Sequence, residues 1–266
     1  MKTVVITGST SGIGKELIKL FAGDCKVFAG YRNDKLLVPL DNVEYFYINM
    51  LDSTSISDAA EFIKGKTRNL DVIINVAGCV EAGPVEYISI DKLRQQFEVN
   101  TFSHIDFTQR LMPLLDGGRI INISSMASFG HFPFISPYCA SKRALDIFFS
   151  SLSVENHKNI KVISIKPGVV ATPIWEKSIN ANSETLENCS EYSKELEFLK
   201  NNALKNSDKG LDVIKVAEFI KNVALSNNPK ASYTIGFDAK IAHILSYLPQ
   251  DLINKIVRLG MKIRIK

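Results

Sequence analysis

The stretch Tyr138-Cys139-Ala140-Ser141-Lys142 sets a phenol and an amine four residues apart. On a helix that spacing places both side chains on one face. A free phenol titrates near pH 10 and exchanges protons poorly at neutral pH, whereas a cation within a few ångströms stabilises the phenolate and lowers that value. Lys142 is the expected cation and Tyr138 the expected acid/base. Lowering a phenol by about three pH units takes roughly 4 kcal/mol, within reach of one partly buried ammonium plus a second positive charge. The pair alone is common on amphipathic helices, so its meaning rests on what surrounds it.

The elements that must hold this pair can be read from the chain. Ser136 and Pro137 are expected to cap and open its helix. Leu145, Phe148, Phe149 and Leu152 form one apolar stripe, and Ala140, Ala144, Ile147 and Ser151 a second with smaller side chains. The helix should therefore be buried on two faces, within the fold or against a second subunit. Near the N-terminus, Val4-Val5-Ile6 precedes a glycine-rich turn from Thr7 to Gly14, after which Ile13, Leu17, Leu20 and Phe21 recur at helical spacing. Such glycines let backbone approach a pyrophosphate, and a helix N-terminus offers free amides and a positive dipole end.

Further strands are predicted at 26–30, 43–48, 70–74, 119–125, 161–165 and 232–235. Helices are predicted around Ala59, Phe62 and Ile63, over 91–115 with Asn100 in the middle, and over 212–224. This alternation predicts an α/β doubly wound parallel sheet of about seven strands in a single domain, 1–266. The polar segment 173–210 reads as a helical substrate lid and 237–266 as a C-terminal extension. Ligands of such sheets bind beyond the carboxyl ends of the strands. The turn Asn75-Val76-Ala77-Gly78, the serines Ser124 and Ser125, and the turn from Lys166 to Thr172 all fall at that edge.

Composition narrows the function. The chain has 266 residues, 45% hydrophobic content and a net charge of +4, with no basic block interleaved with aromatics, so nucleic acid is not an expected partner. Cys25, Cys79, Cys139 and Cys189 are scattered, which indicates no metal site and no disulfide framework and fits a reducing, cytoplasmic setting. Met1 leads within two residues into an apolar strand, leaving no room for a signal peptide, and no apolar run reaches membrane-spanning length. At the end of the second strand, Tyr31-Arg32 offers no carboxylate to ribose hydroxyls, while Arg32 would attract a 2′-phosphate. NADP is therefore expected over NAD.

Together these stretches resemble the short-chain dehydrogenase/reductase family, from Thr3 to about Ile235. Six motifs fall in the family's order: Thr7, Gly8, Gly12, Ile13 and Gly14; Asn75 through Gly78; Asn100; Ser125; Tyr138 with Lys142; and Pro167, Gly168 and Thr172. The resemblance implies Asn100, Ser125, Tyr138 and Lys142 as the catalytic residues. Tyr138 would exchange the substrate proton and Ser125 hold the substrate oxygen. Lys142 would tune the tyrosine and bind the nicotinamide ribose, and Asn100 hold a water that links Lys142 to solvent. Implied cofactor contacts are Gly8, Ser11, Gly12, Ile13, Gly14, Arg32, Asn49, Met50, Asn75, Ala77, Gly78, Tyr138, Lys142, Pro167, Gly168, Val170 and Thr172. Val76 departs from the family's second asparagine, Asn49 from its common aspartate and Ser103 from a frequent glycine.

His131-Phe132-Pro133-Phe134, Ile174 and Trp175 offer apolar walls for a substrate, with His131 itself read as a solvent-facing loop residue. The run Tyr233 to Lys240 with Tyr247-Leu248-Pro249 looks like the retinol and hydroxysteroid dehydrogenase branch, which implies a lipophilic alcohol, ketone or aldehyde. A homodimer or homotetramer is expected. The basic, partly amphipathic end from Leu252 to Lys266, with Ile253, Ile256, Val257 and Ile263 among its cations, suits either weak contact with an anionic membrane or packing on the body. A rival to the enzyme reading is a redox-responsive NADP-binding regulator without turnover.

Overall fold

Val4, Val5 and Ile6 are all fully buried, a condition met by a strand whose sheet is covered on both faces. In the computed structural model, which describes residues 1–182 and 189–265, that strand lies inside a seven-stranded parallel sheet, next to its central strand. The strands are β1 (Lys2–Ile6), β2 (Cys25–Tyr31), β3 (Val43–Tyr47), β4 (Val72–Asn75), β5 (Arg119–Ile123), β6 (Lys161–Pro167) and β7 (Ser232–Ile235). Their order is β3-β2-β1-β4-β5-β6-β7, so the connection from β3 to β4 crosses back over the sheet and opens a crevice where β1 meets β4.

The helices are α1 (Gly12–Ala22), α2 (Ser53–Lys66), α3 (Ile90–Phe97), α4 (Ser103–Leu111), α5 (Ser136–Glu155), α6 (Ile174–Ala181), α7 (Ser193–Lys209), α8 (Val213–Leu225), α9 (Phe237–Leu245) and α10 (Gln250–Ile265). Alternate strand residues face opposite layers. Val4 and Ile6 pack with Leu17, Phe21, Val216 and Ile220 of α1 and α8, while Val5 packs with Ile56, Ile63, Phe107, Leu111, Leu145 and Phe149 of α2, α4 and α5. Each large apolar side chain so buried contributes about 1.5–3 kcal/mol.

Three details differ from the sequence reading. Ser136 is the first residue of α5 rather than its cap; Ile135 takes the cap position with no side-chain bond, and Pro137 opens the first turn. Phe148 lies outside the core stripe, half-exposed beside Ile147, because Leu145 and Phe149 already fill the inward face. The helical region 91–115 is interrupted: a π-turn, Glu98–Phe102, separates α3 from α4. Of the segment expected as a lid, residues 183–188 lie outside the described residues.

Candidate active site

Ser125 stands just past the carboxyl end of β5, and α5 delivers Tyr138 and Lys142 to the same edge. All three are buried, and Ser125 Oγ accepts from Ala127 N at 3.1 Å. Burial pushes the Tyr138 phenol up to about 12, with the Ser125 hydroxyl pulling the other way. Burial also brings the Lys142 ammonium down to about 8, opposed by the Asp146 carboxylate one turn along α5 and by Cys79. Lys142 Nζ donates to the Ile123 carbonyl at 2.8 Å and stands 6.0 Å from the tyrosine ring centre. Desolvation of the phenolate is the largest influence on Tyr138 here, and the lowering expected from Lys142 calls for the second positive charge as well.

Asn100 sits inside the π-turn, where one extra residue re-aims the helix face at a functional position. Its Oδ1 accepts from Cys79 N at 2.9 Å, and its Nδ2 donates to Cys79 O at 3.0 Å and Ser141 Oγ at 3.1 Å. The side chain expected to hold a water therefore also ties the loop after β4 to α5. Gln96 and His104, four residues to either side, complete a clamp. Gln96 bonds Glu81 N and Cys79 O, and His104 Nε2 bonds Ala77 O at 2.8 Å. Sequence reading missed both; a buried polar residue every four positions was the available signal. A Cβ on Gly78 would meet Asn100 Oδ1 at 3.3 Å and Lys142 Nζ at 3.6 Å, so the two groups line one space above that glycine.

Asn75, expected at the cofactor, uses its side chain internally, donating from Nδ2 to Asn122 Oδ1 and Thr108 Oγ1. It braces β4 against β5 and α4, the strand-bracing duty that Val76 cannot perform. Asn49 Oδ1 accepts from Leu51 N in a local turn and Met50 is buried in the core.

The glycine loop fits a dinucleotide on its own geometry. Gly8 and Gly12 hold φ of +66° and +52°, and a Cβ on Gly8 would lie 2.9 Å from the Ala77 backbone. On Gly14 it would lie 2.1 Å from the Gly8 carbonyl. The Ser11 side chain makes no cap at the start of α1, so the first-turn amides of Gly12, Ile13 and Gly14 are left to a ligand. Among the described residues Arg32 is exposed at the end of β2 with no ion pair to Asp34.

Across the crevice, the turn after β6 packs Thr172 Cγ2 against the space over Gly12, 3.1 Å from where a Cβ would stand. Gly168 is obligatory because Asp238 Oδ1 lies 2.0 Å from its would-be Cβ, and Asp238 Oδ2 accepts from Val169 N at 2.8 Å. The sequence reading missed Asp238, which fastens this turn to α9. Val169 and Ala171 also pair with Leu211, so segment 173–210 leaves and returns at one place. Lys177 of α6, also missed, donates to Ser11 Oγ at 3.3 Å and puts a cation on the glycine loop. Ile174 and Phe132 pack on Tyr138 and Val80, whereas Trp175 bonds the Val170 carbonyl and His131 is exposed beside Gln250.

Residues 2–183 match the short chain dehydrogenase family model. The chain belongs to the short-chain dehydrogenase/reductase family. Its members are oxidoreductases, and the geometry above is consistent with that class. This short-chain dehydrogenase/reductase is 30% identical to the NADPH-dependent 3-dehydrocapnine reductase of Ornithobacterium rhinotracheale over 98% of each chain. It is 31% identical to mouse mitochondrial D-beta-hydroxybutyrate dehydrogenase over 65% of this chain and 56% of that one. A short chain dehydrogenase of Burkholderia cenocepacia, solved in complex with NADP, superposes with a TM-score of 0.76 at 20% identity, covering 97% and 99% of the two chains. That last likeness concerns the fold.

Proposed function

We propose that the protein is an NADP-dependent reductase that interconverts an apolar ketone or aldehyde with its alcohol. The observation that carries the reading is the convergence of Ser125, Tyr138, Lys142 and Asn100 from three separate elements beside a glycine loop with uncapped helix amides. The bound dinucleotide supplies two-electron chemistry, giving or taking a hydride at the substrate carbon. Gly8, Gly12, Ile13 and Gly14 hold its diphosphate, Arg32 its 2′-phosphate, and Lys142 and the turn at Pro167, Gly168, Val170 and Thr172 its nicotinamide half. NADP rather than NAD follows from the charge at Arg32, and the relative named for NADPH dependence agrees.

Ser125 donates a hydrogen bond to the substrate oxygen and holds it against the Tyr138 hydroxyl. Tyr138 gives its proton to that oxygen in reduction and takes one back in oxidation. The space above Gly78, between Asn100 Oδ1 and Lys142 Nζ, suits a water that returns protons from solvent. Val80, Phe132 and Ile174 form the apolar wall, and segment 173–210, hinged at Val169–Leu211, acts as the lid. A second copy covers the exposed Ile147 and Phe148 of α5.

A panel of aliphatic, aromatic and steroid-like carbonyls, followed by NADPH absorbance, tests the reading. Turnover is expected with at least one apolar member, and Tyr138→Phe is expected to lower it by about 10²- to 10⁴-fold while dinucleotide affinity is kept. A regulator without turnover would bind NADPH and reduce none of them. Near-wild-type turnover in Tyr138→Phe would remove the tyrosine from the mechanism.

A further inference from the structure

The last thirty residues carry the chain's entire net charge. Residues 237–266 hold six Lys/Arg against two Asp/Glu, leaving 26 of each sign in residues 1–236, which are therefore neutral overall. Of the two acids, Asp238 is engaged with the Val169 amide.

The same segment exposes a concentration of large apolar side chains. On α9, Phe237, Ile241 and Ile244 recur at helical spacing and Tyr247 follows in the turn beyond it, with Phe237 80%, Ile244 68% and Tyr247 78% exposed. On α10 the apolar residues divide into two rows. Ile253, Val257 and Met261 are part-buried, on a helix in contact with α7, while Leu252, Ile256 and Leu259 are exposed among Lys255, Arg258 and Lys262. Packing on the body thus accounts for one row and leaves the other in water. Scattered exposed apolar residues are ordinary, but seven on two consecutive helices and the turn between them are not.

We propose that α9 and α10 form a docking surface for an anionic lipid bilayer. Among the described residues no helix is long and apolar enough to cross a membrane, so these two lie in its interface. Their apolar rows enter the acyl boundary and the lysines and arginine meet acidic headgroups. A second copy of this chain is a poorer occupant, because self-association about a two-fold axis would bring this one-signed charge against itself.

The position relates docking to chemistry. The His243 ring of α9 stacks on Phe129 at 4.4 Å, in the single turn that follows Ser125, and Gln250 contacts His131 of the loop carrying Phe132. A protein seated through α9 and α10 has its proposed substrate wall near the lipid surface, which suits delivery of an apolar carbonyl from the bilayer. That last step rests on the proposed reductase reading; docking does not.

Flotation of the full chain with vesicles of phosphatidylcholine containing about 30% phosphatidylserine is the test, read without turnover. Wild type is expected to float with these vesicles and not with pure phosphatidylcholine, and to be released as salt rises. Each of Lys255→Gln and Lys262→Gln should weaken binding by roughly fivefold. Ile256→Glu should abolish it, and an unchanged circular dichroism melt would show that the fold is intact. Absence of wild-type flotation, or equal flotation with neutral vesicles, overturns the proposal. So does a dimer in sedimentation that Ile256→Glu dissociates without any vesicle affinity.

Discussion

At neutral pH a phenol held near 12 is fully protonated, which is the form that donates a proton to a carbonyl being reduced. Lys142 beside it, brought down to about 8, loses its ammonium as pH rises through that value. Carbonyl-reducing kcat/KM is therefore expected to be level through neutral pH and to fall above about pH 8. In Lys142→Arg, whose guanidinium stays charged, whatever activity remains should lack that alkaline limb. An identical limb in the arginine variant would assign it to another group. In the proposed reading Arg32 bears on the cofactor rather than the chemistry. A charge-assisted bond to a phosphate is worth about 1.5–3 kcal/mol, so Arg32→Gln should raise the Kd for NADPH by about 10- to 150-fold and leave NADH nearly unchanged. Fluorescence titration with both dinucleotides checks it.

At the scale of elements, the site depends on segments that no single motif describes. The π-turn places Asn100 between Gln96 and His104 so that three side chains hold the backbone from Ala77 to Glu81. The segment 173–210 leaves and returns where Val169 and Ala171 pair with Leu211, and α6 reaches back from it to the glycine loop through Lys177. This exposed cation is expected to add a modest share to diphosphate binding. Lys177→Gln should weaken NADPH affinity by roughly two- to fivefold, measured by calorimetry, with no change in the NADPH to NADH preference that Arg32 sets. Loss of that preference instead would mean that Lys177 reads the 2′-phosphate.

For the molecule as a whole, a titration inside the core makes stability depend on pH. His104 is fully buried with its pKa brought down to about 4 by burial, then by the nearby Lys142 charge. The unfolded chain takes up that proton near 6.5, so between about pH 6.5 and 4 it binds more protons than the native state. Stability is expected to fall as pH drops through this window and to level off below it, by on the order of 3 kcal/mol. Urea midpoints at either end of the window, in wild type and His104→Gln, measure the effect; a slope untouched by the substitution would place it elsewhere.

The sequence by itself determined the sheet and the family motifs, and it singled out Tyr138, Lys142, Ser125 and Arg32 as the residues to watch. Strand and helix periods, glycines with enforced φ and the order of motifs are local properties that the chain carries wherever it goes. Only the tertiary structure decided how those residues are used. Asn75 turned inward to brace strands, Asn100 became a tie between loop and helix, and burial came to dominate the Tyr138 phenol, because burial and long-range bonds exist only after the elements meet. Asp238 and Lys177 were invisible for the same reason: each acts on a backbone or side chain about seventy or more residues away. The C-terminal helix shows both halves at once. Its basic, apolar composition was plain in the sequence, but which apolar row is part-buried and which faces water was decided by the fold.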